Sequence, residues 1–217
     1  MDALAAMQQR RSARVFLQKP VSRALVEEVL ACAGLAPSAI NLQPWEYVIA
    51  YGEEKERLTR RIIQAHGELK VSCGPGTASP LPERYANRSR GASQGLKPHI
   101  AALGSDFNRF IEEGSCSFYG APIAIIVVID KLFPHLRYLD VGLSVAYLLL
   151  AAEAKGLATC PIGLVTAYSD EIADVLSIPK EKEILLAIAL GYADEKSPIN
   201  IFKTKREPLT EIISWYE

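Results

Sequence analysis

Residues 37–45 read Pro-Ser-Ala-Ile-Asn-Leu-Gln-Pro-Trp, and no other stretch of the chain says more about its fold. The stretch follows a segment with helical periodicity and leads into an apolar, β-branched segment at 45–51. Its two prolines restrict the backbone. Three side chains both donate and accept hydrogen bonds, namely Ser38, Asn41 and Gln43. The stretch can therefore match the polar edge of a heteroaromatic ligand, although an ordinary helix-to-strand loop has a similar composition.

A basic cluster lies upstream of this stretch, at residues 10–14, which read Arg-Arg-Ser-Ala-Arg. Arginine guanidinium groups match the oxygens of a phosphate geometrically, and Ser12 adds a hydroxyl group. The alternative is a solvated helix end whose cations complement the helix dipole. The sequence alone leaves both interpretations open.

A third motif lies at residues 156–164, which read Gly-Leu-Ala-Thr-Cys-Pro-Ile-Gly-Leu. Gly163 lets the backbone approach a flat ligand closely, and a backbone N–H at this point can stabilise negative charge on such a ligand. The alternative is a glycine-containing turn after a helix. For Cys160 we expect a packing role, because a single cysteine beside an apolar strand usually behaves as a small hydrophobic residue.

A second basic segment lies near the C-terminus, at Lys203, Lys205 and Arg206. Further arginines occur at Arg84, Arg88 and Arg90, and these are candidates for contact with an anionic substrate or are simply solvated. Local basic clusters suit a compact anion such as a phosphate better than they suit a charged polymer.

Composition limits the class of protein. The chain has 217 residues, a net charge of -1, 49% hydrophobic residues and 23% charged residues, which is ordinary for a globular domain. No overall basic field favours nucleic acid or an anionic membrane. The four cysteines lack zinc-binding spacing, and the N-terminus lacks a signal peptide, so we expect reduced thiols in a cytoplasmic protein without a metal site.

The hydrophobic pattern predicts one α+β domain spanning 1–217. It predicts a helix at 2–10 with Asp2 as N-cap, a further helix capped by Ser22, and a helix at 53–70 with Leu58, Ile62 and Ile63 inward. A helix at 137–155 is expected to be buried on most faces, and central buried strands are expected at 122–130 and 183–193. For Pro44 and Trp45 we expect packing in the core. A loop without periodicity is expected at 71–95, followed by a helix at about 98–113. The apolar tail at about 197–217 predicts an arm that lies on a partner subunit.

Taken together, the motifs resemble the FMN-dependent nitroreductase family. The resemblance implies a nitroreductase-like α+β fold, with a mostly antiparallel sheet flanked by helices and a C-terminal arm exchanged in a homodimer. It also implies FMN as the cofactor, NADH or NADPH as the electron donor and a ping-pong hydride transfer through flavin N5. The acceptor is a nitroaromatic, a quinone or a similar small electrophile. The region at about 71–118 is then a long insert relative to compact members of the family.

The resemblance also implies roles for the motif residues. Arg10, Arg11, Ser12 and Arg14 hold the phosphate and ribityl end of FMN, and Lys203 or Lys205 completes the phosphate site with Arg206. Pro37, Ser38, Asn41 and Gln43 reach the flavin across the dimer interface, and Pro161, Ile162 and Gly163 line its face. No protein side chain is expected to be catalytic. The chain departs from the family at Ala39, where a second serine is common, and at Gly163, where some members have glutamate.

Two other functions remain open at this point. A non-redox protein that stores FMN would share every motif named above. A serine hydrolase is the second alternative, because residues 91–95 read Gly-Ala-Ser-Gln-Gly with Ser93 at the centre. That pattern needs a buried strand before it and a helix after it, whereas the residues that precede it are polar and basic.

Overall fold

The computed structural model describes residues 1–74, 76–77 and 79–217. These residues form α-helices on both sides of one four-stranded sheet. The helices are α1 (Ala3–Gln9), α2 (Arg23–Ala33), α3 (Gly52–Leu69), α4 (Glu83–Ala101), α5 (Phe107–Cys116), α6 (Tyr138–Ala154), α7 (Ser169–Leu176) and α8 (Pro198–Ile201). The strands are β1 (Trp45–Tyr51), β2 (Ile123–Asp130), β3 (Ala158–Ile162) and β4 (Lys182–Gly191).

The sheet has the strand order β1-β2-β4-β3, and each neighbouring pair is antiparallel. The two long apolar strands, β2 and β4, lie at its centre, as the sequence predicts. β2 is buried from Ile123 to Ile129, which explains its unbroken β-branched run, since helices cover both faces of the sheet. The predicted antiparallel α+β fold is confirmed.

Each face of the sheet packs against its own hydrophobic layer. One layer contains α2 and α6, and the other contains α3, α5 and α7. On α3 the predicted inward residues Leu58 and Ile62 are fully buried. The prediction for Ile63 is wrong, because its side chain is 47% exposed. The neighbouring positions 58 and 62 already fill the inward face at a spacing of one helical turn.

The largest difference from the prediction lies between β1 and β2. The expected loop at 71–95 is wrong from residue 83 onward, where α4 begins, and the expected helix at about 98–113 is in fact the end of α4, a turn and most of α5. Pro75 and Ala78, within the expected loop, lie outside the described residues. Whether the region at 71–118 is an insert relative to compact relatives stays a prediction.

The reason for this error is visible in α4 itself. Gly91, Gly95 and Pro98 fall within the helix, and these residue types lower intrinsic helix propensity. Leu96 and Ile100 are nevertheless buried, in a small cluster with α8. Tertiary packing therefore stabilises a helix that local propensity does not indicate.

Helix α6 also differs from the expectation that it is buried on most faces. One face packs on the sheet and on α2, but Leu139, Leu143 and Tyr147 form an exposed apolar stripe one helical turn apart. The segment His135–Ala154 is long and apolar enough to cross a membrane by length and composition, and a third of its most apolar 18-residue stretch is buried inside the chain. A helix with one face in the core of a globular domain passes the same test.

Candidate cofactor site

The basic segment at residues 10–14 follows α1 and runs in extended form along the edge strand β3. The N–H of Ala13 donates to the carbonyl of Thr159 at 2.9 Å, and Ser12 and Thr159 form an isolated parallel bridge. Farther along, the N–H of Leu17 donates to the carbonyl of Tyr192 at 2.8 Å. The segment therefore behaves as an additional edge of the sheet, and its side chains alternate in direction.

Alternation separates two of the predicted cations. Arg11 lines a cleft of about 630 Å³ with Lys19 and Glu153, at the C-terminal end of α6. Burial raises the pKa of the Glu153 carboxyl, while Arg11 and Arg10 partly oppose this shift. Arg14 and Ser12 are two residues apart and therefore share one side of the extended segment, opposite to Arg11. Arg10 is the C-cap of α1, and its charge lowers the pKa values of both Glu153 and Cys160, which lie on the two sides of the segment.

Arg14 is the cation with the least ordinary surroundings. Its Nε is buried and has no hydrogen-bond partner within the described part of the chain. Its guanidinium carbon lies 5.9 Å from the ring centroid of Tyr119, in a cation–π arrangement. A buried guanidinium N–H without an acceptor is costly unless a ligand supplies one, so this position fits an anionic group such as a phosphate.

The β3 motif lies directly beside this segment. Burial raises the pKa of the Cys160 thiol, and the nearby Arg14, Ser12 and Arg10 lower it in part. The thiol is buried and packs in the core, which agrees with the expected packing role. β3 ends at Ile162, and Gly163 follows at an exposed turn where an added Cβ would meet nothing within 4 Å. Space for a flat ligand is therefore open in front of Gly163.

The C-terminal basic segment reaches the same region through α8. The Oδ1 of Asn200 accepts from the N–H of Arg14 at 2.8 Å, so Lys203 follows within about 10 Å of that point along the chain. Lys203, Lys205 and Arg206 are exposed, and Arg206 donates to Thr204 within the same segment. Both lysines remain candidates for one phosphate contact.

The stretch at 37–45 has a different construction. Ile40, Asn41 and Gln43 have φ values of 44°, 60° and 48°, in the left-handed region that non-glycine residues seldom adopt. The Oγ of Ser38 accepts from the N–H of Gln43 at 2.9 Å and closes the turn. Pro37 is exposed, whereas Pro44 is buried, in line with its expected packing role. Strain of this kind is concentrated at functional sites.

A buried carboxylate on α6 holds this strained turn in place. The Oδ2 of Asp140 accepts from the N–H of Ala39 at 3.4 Å and from Arg137 Nη1 at 2.9 Å. Asp140 is near the start of α6, whereas Glu153, beside the basic segment, lies about 20 Å farther along the helix at a rise of about 1.5 Å per residue. The structure thus brings segments 10–14 and 158–163 together, joins Asn200 to Arg14, and holds 37–43 apart from the basic segment within one chain.

Three residues of this site were not identified from the sequence: Tyr119, Asp140 and Asn200. Each acts through contacts with residues far away in the chain, and none belongs to a recognisable motif.

The hydrolase alternative is wrong, because Ser93 lies in the interior of α4 and not at a strand-to-helix turn.

Comparison with known proteins agrees with this geometry. The FMN and NADPH-dependent nitroreductase NfnB from Sphigopyxis sp. strain HMH superimposes with a TM-score of 0.90 at 25% identity, covering 100% of both chains. The FMN-dependent nitroreductase NfnB from Mycobacterium smegmatis, solved in complex with NADPH, has a TM-score of 0.87 at 27% identity over 100% of both chains. The structure is therefore of the nitroreductase class.

Sequence comparison then gives the family. Residues 7–192 match the model of the Nitroreductase family, and the chain belongs to that family. The 4-nitrobenzoate reductase of Pseudomonas putida is 33% identical over 210 residues, which cover 95% of this chain and 92% of that protein. The resemblance inferred from the motifs is confirmed.

Proposed function

We propose that this chain is an FMN-dependent NAD(P)H oxidoreductase that reduces nitroaromatic, quinone or similar electrophilic acceptors. Its full-length similarity to named nitroreductases supports the activity, and Arg14 is the observation within the chain that carries the cofactor assignment. A buried guanidinium N–H without a partner, on an extended segment beside β3, suits a phosphate acceptor.

The residues present fit FMN. The phosphate would be held by Arg10, Ser12 and Arg14 together with one of Lys203 and Lys205, and Arg206 would add a further charge. The flat ring would lie against the exposed Gly163, where an added Cβ would meet nothing within 4 Å, and against the partly exposed Pro161. The side chain of Ile162, also expected at the ring, is instead buried in the core. Arg11 faces the cleft beside Glu153 and contributes to the local positive potential more than to a direct contact.

FMN, when bound, would supply the redox chemistry, namely hydride exchange between a reduced nicotinamide and an electrophilic acceptor. The chain itself binds the phosphate, presents the open backbone at Gly163 to the ring and leaves one ring face free for donor and acceptor in turn. No protein side chain is assigned as an acid, a base or a nucleophile.

We further propose that the protein is a homodimer in which the stretch at 37–43 serves the partner's flavin. Two features support this arrangement. Within one chain the strained turn lies far from the basic segment, and Ile40 at its tip is 91% exposed. The α6 stripe and the tail side chains Trp215 and Tyr216 expose a large apolar area, which favours association. The expected arm at about 197–217 is too long at its start, because Ile199 and Asn200 are buried in their own chain and Glu207 pairs with Arg88 of α4. The exposed segment after Glu207 would then be the part of the arm that lies on the partner subunit.

An absorption spectrum and a turnover assay test this function. The purified protein is expected to be yellow with flavin absorption bands, and to oxidise NADH or NADPH when a nitroaromatic or quinone is added. A protein that gains neither absorbance nor thermal stability from added FMN would contradict the proposal. A yellow protein without turnover on any electron donor would instead identify the non-redox FMN-binding alternative.

A further inference from the structure

Asn200 is a fully buried polar side chain that joins the two ends of the chain. Its Oδ1 accepts from the N–H of Arg14, its Nδ2 donates to the carbonyl of Val15 at 2.7 Å, and the same Nδ2 donates to the carbonyl of Asp194 at 3.0 Å. Both amide N–H donors and an acceptor site are therefore satisfied. Such a fully satisfied buried amide fixes the geometry of the segments that it joins.

On the N-terminal side, Asn200 fixes the backbone from which the Arg14 side chain projects. The other end of that side chain rests over Tyr119, whose backbone is in the left-handed region with φ 52°. Gly114 permits this position, because an added Cβ there would lie 2.4 Å from the Tyr119 ring. Arg14 is thus held at its backbone by Asn200 and at its guanidinium by Tyr119.

On the C-terminal side, the chain after Asn200 is seated on α4. The ring of Phe202 packs so closely on Gly95 that a Cβ at that position would lie 2.7 Å from it. Arg88 of α4 forms an ion pair with Glu207 at 3.2 Å. The basic segment at 203–206 is therefore held on α4 at both ends, by Phe202 and by Glu207. Asn200 joins the start of this segment to the backbone of Arg14.

We propose that Asn200 is a positioning residue which assembles Arg14 and the basic segment at 203–206 into one phosphate-binding site. This role makes the chain select a flavin with a phosphate over riboflavin, which has none. The inference rests on the proposed function, because it assumes that a flavin binds. Asn200 itself contacts backbone groups and is not expected to touch the phosphate.

Flavin binding by the full-length, flavin-free protein tests this role. Affinities for FMN and for riboflavin are measured from the quenching of flavin fluorescence. We expect Asn200→Ala to weaken FMN binding by about tenfold or more, because the buried hydrogen bonds to the Arg14 segment are lost. Riboflavin binding should change by less than about twofold, since it does not use the phosphate site. Asn200→Ser, which keeps a hydroxyl group, gives the same comparison if Asn200→Ala does not fold.

Two further variants separate positioning from general destabilisation. Ile172→Ala removes a fully buried side chain on α7, so it lowers thermal stability but should leave the ratio of FMN to riboflavin affinity unchanged. In an Arg14→Ala background, Asn200→Ala should cost less than about threefold in FMN affinity, since residues that act through one another are not additive.

The outcomes are distinguishable. A wild-type protein that binds neither flavin overturns both this inference and the proposed function. A wild-type protein that binds FMN and riboflavin equally, or an Asn200 variant that keeps the wild-type ratio, overturns the positioning role alone. Equal weakening of both flavins by Asn200→Ala, as for a merely destabilised protein, also overturns it.

Discussion

The two walls of the proposed cofactor site are built in opposite ways. The turn at 37–43 is closed locally, because the Oγ of its own Ser38 accepts from the N–H of Gln43, and Asp140 of α6 is its one long-range hydrogen-bond partner among the described residues. The basic segment at 10–14 is unstrained and extended, and its geometry depends on partners up to 186 residues away in the chain. The strained turn at 37–43 keeps its shape while its tip is exposed, so it can contact another molecule. The segment at 10–14 depends on long-range hydrogen bonds, which place the Nε of Arg14 in a buried position.

The largest effect is expected for Asp140, the α6 residue that holds the turn at 37–43. Asp140→Ala should lower the free energy of unfolding by about 3 kcal/mol, because it leaves Arg137 as a nearly buried, unpaired charge. It should also loosen the turn at Ala39. Urea unfolding measures the loss of stability.

The matched control for Asp140 is an exposed pair of similar spacing. Glu113→Ala breaks the surface pair with Arg109 on α5 and should cost less than about 0.5 kcal/mol. Equal losses in the two variants would show that Asp140 is not a structural anchor.

The second prediction compares the two sides of the extended wall. Arg14→Gln should weaken FMN binding by roughly 30-fold, the equivalent of about 2 kcal/mol for a charge-assisted hydrogen bond. Arg11→Gln should weaken it by less than about threefold, because Arg11 faces the cleft beside Glu153. Isothermal titration of the flavin-free protein gives both values, and a larger effect at Arg11 would reverse the assignment of sides.

The third prediction tests the strain in the local wall. Ile40→Gly should raise the free energy of unfolding by about 1 kcal/mol, since glycine adopts a φ of 44° without the steric cost that isoleucine has there. Leu35→Gly is the control, because Leu35 is also exposed but its backbone is not in the left-handed region. This variant should have a slightly lower free energy of unfolding than the wild type. If Ile40→Gly destabilises the protein as much as Leu35→Gly does, the turn is not strained.

The smallest expected effect is on α4, where Arg84 and Arg90 are exposed, whereas Arg88 is paired with Glu207. The double variant Arg84→Ala and Arg90→Ala should raise the KM for anionic 4-nitrobenzoate about two- to fivefold, as expected for solvated charges. The KM for neutral nitrobenzene should not change. Steady-state assays with both substrates decide the matter, with Arg109→Ala on α5 as the control, and equal changes for the two substrates would remove α4 from substrate recognition.

The sequence predicted those parts of the molecule that are encoded locally. Asp2 and Ser22 cap α1 and α2 as expected, and the β-branched run in β2 indicated a central strand. The motif at 37–45 also identified the family, because its polar residues lie close together in the chain. Helix α4 was missed, since Gly91, Gly95 and Pro98 argue against a helix and only its packing on α8 argues for one.

The site was predictable in its residue types but not in its geometry. No pattern in the sequence shows that Arg11 and Arg14 point to opposite sides, because this follows from pairing with β3. The exposed stripe on α6 was likewise hidden, since composition does not say which apolar faces a chain leaves uncovered. Contacts of the site with FMN and with a partner subunit stay predictions.

The hydrogen bonds of Asn200 also have a consequence for the synthesis of the protein. Residue 14 leaves the ribosome early, but the amide that fixes its backbone is made 186 residues later. A nascent chain therefore has its arginine cluster long before the proposed phosphate site can form. Loading with the cofactor is then a late event in the life of each new molecule, after the last strand and α8 have emerged.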